Sequence, residues 1–154
     1  MNWEAIGAIG EVLGALAVVI TLMYLALQLK ENAKGLRVQS LNETFRERSE
    51  MMRELQDMSS IGGIMAKAVG EDEMTDHERS AARIYLNRVC AVSDKLHYLH
   101  SIGAADDFNF ASFRPQLKFF VGTSFFSEWW AESGGQFSSG FRTYVETISQ
   151  EIQA

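Results

Sequence analysis

The sequence predicts an all-α protein, an N-terminal transmembrane helix continuing into or followed by a small cytoplasmic helical domain. Three observations predict it. From Val12 to Leu29 the chain reads VLGALAVVITLMYLALQL, with no charge and only Thr21 and Gln28 strongly polar. Beyond it, apolar residues recur at three-and-four spacing, and no segment alternates as a strand would. Finally, all 14 Lys and Arg lie at or after Lys30, and a single Pro leaves room for long helices.

Residues 5–29 are read as the span, residues 1–29 forming the first segment. About 20 apolar residues at ~1.5 Å each cross the ~30 Å hydrocarbon core. Trp3 suits one membrane interface and Lys30 marks the other. A buried helix of a soluble bundle would need a polar stripe, and Val12–Leu27 offers only Thr21. A cleaved signal peptide would need a basic start and a small-residue cleavage site. Met-Asn-Trp-Glu and Gln-Leu-Lys-Glu-Asn supply neither. No base precedes the span, whereas Lys30, Lys34 and Arg37 follow it. The positive-inside rule therefore puts the N-terminus outside and residues 30–154 in the cytoplasm.

Glu4, Gly7, Glu11 and Gly14 share one helical face, and Gly10 with Gly14 forms a GxxxG pair. Small residues let helices approach closely in lipid, and an intramembrane acid normally faces protein or water. This face is the candidate helix interface. The alternatives are a plain anchor with Glu11 near the outer boundary, or a ring of Glu11 side chains lining an ion path.

Residues 30–58 form an amphipathic juxtamembrane helix, with Val38, Leu41, Phe45, Met52 and Leu55 on its apolar side. No Pro separates it from the span and only Gly35 weakens it. Ser59-Ser60 and Gly62-Gly63 mark its end or a break. Residues 59–154 make the helical domain proper. A short apolar piece, Ile61–Val69, leads into the acidic turn at Gly70. Thr75 with Glu78 is a capping box. It opens a helix over residues 76–101 that Gly103 stops. Pro115 permits a helix start; the aromatic run continues through Phe125, Phe126, Trp129 and Trp130 to Gly134-Gly135. Phe141–Ile152 is the last amphipathic helix. Asp106-Asp107 reads as a solvated turn.

Composition narrows the chemistry. The 154 residues carry 20 acids against 14 bases, a formal charge of −6. With no basic block, nucleic acid is excluded as a partner. One cysteine excludes an internal disulfide. Cys90, Asp94, His97 and His100 fall along one helical side and could form a metal site or a Cys–His pair. They could equally be a packed face, since neither CxxC nor HExxH occurs. No phosphate-cradling, dinucleotide, EF-hand or nucleophile-elbow motif is present. No catalytic residue, metal or cofactor is expected, and the chain is read as a non-enzyme.

Between Phe108 and Trp130 lie seven Phe and two Trp. They serve as core, as a partner interface or as a small-molecule pocket. Adjacent Trp129 and Trp130 point about 100° apart on a helix, so they cannot be equally buried. Trp129, Trp130, Arg142 and Tyr144 are the candidate partner or ligand contacts.

The N-terminal stretch NWEAIGAIGEVLGALAVVITLMYLALQLKENAK resembles the opening of a widespread group of bacterial membrane proteins. The C-terminal Trp129-Trp130, Phe137-Ser138 and Phe141-Arg142-Thr143-Tyr144 resemble theirs too, although that group commonly has Pro-Glu where this chain has Ser139-Gly140. The resemblance touches both ends and implies a bacterial inner-membrane setting, with no activity attached. The first functional expectation is a single-pass protein in the lipid bilayer, acting by homo-oligomerisation or as an accessory subunit of a membrane complex. A membrane-anchored ligand sensor with an aromatic helical pocket is the second. An oligomeric cation channel is the third.

Overall fold

The computed structural model describes residues 3–154, apart from the side chains of residues 4–6. It is helical, and the described residues contain no strand. The chain divides into two compact units, Met1–Gln39 and Ser40–Ala154.

The helix α1 runs without interruption over Trp3–Gln56, so the apolar segment continues into the juxtamembrane one. In the first unit every described side chain is exposed. Large apolar groups are among them, with Val12 64%, Leu16 57% and Leu22 60% exposed. The helix is long and apolar enough to cross a membrane, and none of its most apolar window is buried. The two strongly polar side chains of Val12–Leu29 find partners one turn away. Thr21 Oγ1 donates to the Ala17 carbonyl at 2.8 Å, and Gln28 Nε2 donates to the Tyr24 hydroxyl at 2.7 Å. Such internal satisfaction suits a helix surrounded by hydrocarbon.

The second unit starts with the last turns of α1. Thr44 is its first fully buried residue, and its Oγ1 bonds back to the Ser40 carbonyl. After Gln56, the Asp57 carboxylate accepts from the Ser59 N–H and hydroxyl at 3.0 and 2.6 Å, closing a tight turn. The helix α2 (Ile61–Gly70) begins against the end of α1. A Cβ on Gly62 would collide with the Leu55 carbonyl oxygen and sit 2.7 Å from that of Asp57. The helix α1 thus ends just before Ser59-Ser60, as expected, while Gly62 and Gly63 belong to the first turn of α2, because only glycine fits beneath those carbonyls.

The helix α3 (Asp76–Ser101) is the centre of the domain and buries Tyr85, Leu86, Cys90, Leu96 and Leu99. Thr75 and Glu78 form the reciprocal capping box at its start. Gly103, at φ 68°, ends it in the left-handed region where a side chain is strained. Four more helices pack around it: α4 (Asp107–Ala111), α5 (Arg114–Val121), α6 (Ser124–Ser133) and α7 (Ser139–Gln153). Two of them differ from the sequence expectation. Asp106 does more than turn, because its carboxylate accepts from the Asn109 N–H at 2.7 Å and caps α4. The aromatic run is split at Gly122-Thr123, where the Thr123 hydroxyl accepts from the Phe126 N–H and starts α6 afresh.

Candidate functional site

An apolar groove of about 580 Å³ opens between α1, α2 and α5. The end of α1 contributes Met52 and Leu55, α2 contributes Met65 and Val69, and α5 contributes Gln116, Phe119 and Phe120. The α2 side can come this close because Gly62 presents bare backbone. Phe120 is buried and anchors the wall, its ring set edge-on to Tyr85 at 6.4 Å. The neighbouring Phe119 turns outward and is 59% exposed. Tyr85 in turn donates to the Met51 carbonyl at 3.0 Å and ties α3 to α1. Its desolvation raises the phenol pKa, so it stays a neutral donor.

One polar side chain lines this groove. Gln116 accepts at Oε1 from Arg48 Nε at 3.5 Å, while its Nε2 is buried without a hydrogen-bond partner. Arginine can only donate, so the amide oxygen must face Arg48 and the nitrogen is held as the free donor. A buried unmet donor costs about 1–3 kcal/mol, which makes this atom an exception calling for an occupant. Arg48 also donates to the Ser112 carbonyl at 3.0 Å and lies 4.4 Å from the Phe113 ring centre. No carboxylate pairs with it among the described residues, and burial pulls its pKa down. The half-buried charge is held by a carbonyl, an amide and a ring face within the protein.

The side chains picked out from sequence lie elsewhere. Gly7, Gly10 and Gly14 have nothing within 4 Å of where a Cβ would stand, and Glu11 is exposed. Their face on α1 is open. The Glu4 side chain is outside the described residues. Trp129 is only 3% exposed, and Trp130 is half-buried. Trp130 lies between Phe126 and Phe137, stacked on both at 5.5 and 5.4 Å. A Cβ on Gly134 would meet its ring at 2.9 Å. Tyr144 lies further along the same run of rings, with His97 at 5.7 Å and Phe110 at 5.2 Å, and His97 meets Phe141, the neighbour of Trp130. Arg114 reaches the Tyr144 hydroxyl at 3.5 Å. Arg142 is exposed. The four do not converge on a shared cavity.

The Cys90–His100 side of α3 is likewise dispersed. Cys90 is fully buried and desolvation raises its thiol pKa. Asp94 accepts from the Ser138 N–H and hydroxyl at 3.0 and 2.5 Å, and Ser138 in turn caps α7. His97 packs among rings, while His100 stacks on Phe110 and pairs with Asp107. Among the described residues no group of three or more His, Cys, Asp and Glu could hold a metal.

Sequence reasoning missed the groove. Its one available signal is Arg48, which shares the apolar α1 side with Phe45, Met52 and Leu55. A cation inside such a stripe needs a partner. The chain matches no protein-family model, no curated protein and no solved structure.

Proposed function

We propose that this is a non-enzymatic, single-pass membrane protein whose first helix anchors it and brings copies together, or joins it to a larger membrane assembly. The supporting observation is the wholly exposed apolar stretch of α1. Each large aliphatic side chain left in water forgoes about 1.5–3 kcal/mol. Among the described residues nothing in its own unit covers this surface, which favours lipid or another helix as its cover. The open face of Gly7, Gly10 and Gly14 gives a partner helix a close approach, with Glu11 beside it. Lys30, Lys34 and Arg37 favour an N-terminus outside and residues 30–154 in the cytoplasm. The likeness of both chain ends to a bacterial membrane-protein group favours the bacterial inner membrane.

Two measurements test this. The mass of the particle in a lipid nanodisc, compared with that of Gly14→Leu, reads the packing face. A multimer that dissociates in the variant supports it, and a monomer in both defeats it. A cysteine placed at residue 2 reads the orientation, which is wrong if an impermeant reagent labels it only after permeabilisation.

A further inference from the structure

We propose that the groove between α1, α2 and α5 is a binding site for a fatty acid. The acyl chain would lie against Met52, Leu55, Met65 and Phe119, with the carboxylate accepting from Gln116 Nε2 and Arg48 behind it.

Three features of the site select that chemistry. The first is a hydrogen-bonding imbalance. Gln116 Nε2 is a buried donor without a partner at the groove wall, whereas its Oε1 already accepts from Arg48. The matching group accepts and does not donate, as an ionised carboxylate does. Gln116 lines the wall, and its terminal torsion is soft, so a small turn presents the nitrogen to an occupant. The second is charge. Arg48 has no carboxylate partner among the described residues, and an anion at Gln116 would sit one amide away from it. The third is the wall itself. At about 580 Å³ the groove falls within the range of small-molecule sites. Methionine thioethers at two positions adapt to a flexible chain. An apolar helix from a second copy would cover the same wall but leave Nε2 unmet. The site stands whether or not α1 self-associates.

The test uses the full chain in phosphatidylcholine nanodiscs with a palmitate carrying a terminal diazirine. After photolysis, peptide mapping is expected to find the label near Met52, Met65 or Phe119. Unlabelled palmitate competes, and uncharged methyl palmitate competes at least about tenfold less well, the worth of a charge-assisted hydrogen bond. Gln116→Leu lowers groove labelling by a similar factor. That variant removes an unmet donor, so it keeps the fold, and a thermal melt verifies this. Arg48→Met weakens palmitate more than its methyl ester. The proposal is overturned by undiminished groove labelling in Gln116→Leu, or by equal competition from the methyl ester. Labelling confined to Val12–Leu29 also overturns it, because the probe is then merely dissolved in lipid.

Discussion

Arg48 and Gln116, 68 residues apart in sequence, meet through a single long hydrogen bond of 3.5 Å from the guanidinium to the amide oxygen. That contact fixes which end of the amide is committed and which is idle. Replacing Gln116 with leucine removes the idle buried N–H together with the weak bond. The expected result is a gain of about 1 kcal/mol, because an unmet buried donor costs more than a stretched bond returns. Chemical denaturation of the wild type and Gln116→Leu without ligand measures it. A loss of stability would mean that Nε2 has a partner.

Glu78 ties Lys67 of α2 to the Thr75 cap of α3. It accepts from Lys67 Nζ at 2.5 Å and from the Thr75 N–H at 2.8 Å, so its pKa falls from 4.5 to about 2, with the Lys67 bond the largest cause. A depressed carboxyl stabilises the fold above its unfolded pKa, and that contribution fades as pH drops toward the folded one. The advantage of the wild type over Glu78→Gln should be full at pH 6 and shrink between about pH 4.5 and pH 2. Parallel melts across that window check it; a constant difference would contradict it.

Gly62 is where helix propensity and packing disagree. Alanine is normally worth up to about 1 kcal/mol over glycine inside a helix. Here the added methyl meets two backbone carbonyls, which cannot swing aside as a side chain could. Overpacking of about 1–3 kcal/mol outweighs the propensity gain. Gly62→Ala should therefore lower the denaturation midpoint and reduce the groove's depth.

Every described side chain from Gly7 to Gln39 is exposed, and the buried core begins at Thr44 and Met51. The fragment 40–154 therefore retains the whole core. It should be helical by circular dichroism and melt in one cooperative step without detergent. A molten or aggregated fragment would show that the core draws support from the preceding segment.

What the sequence disclosed was local chemistry. Thr75 and Glu78 are three residues apart, so their capping box could be read directly, as could Gly103 and the proline of α5. The unequal environments of Trp129 and Trp130 follow from the helical turn alone. Thr123 escaped notice because it lies among aromatics with no acid at Phe126 to complete a box. Ser59-Ser60 and Gly62-Gly63 signalled the end of α1, but not that the two glycines open α2, since the carbonyls that require glycine there are a tertiary feature. The groove was hidden for the same reason. Arg48 and Gln116 become neighbours only when α1 and α5 pack, and periodicity within either helix does not report on that.

The buried thiol of Cys90 makes the protein chemically silent toward maleimides while it is folded. Single reporter cysteines can thus be walked along α1 or around the groove with the native residue left in place. When Cys90 does react, that reaction clocks the opening of the helical core.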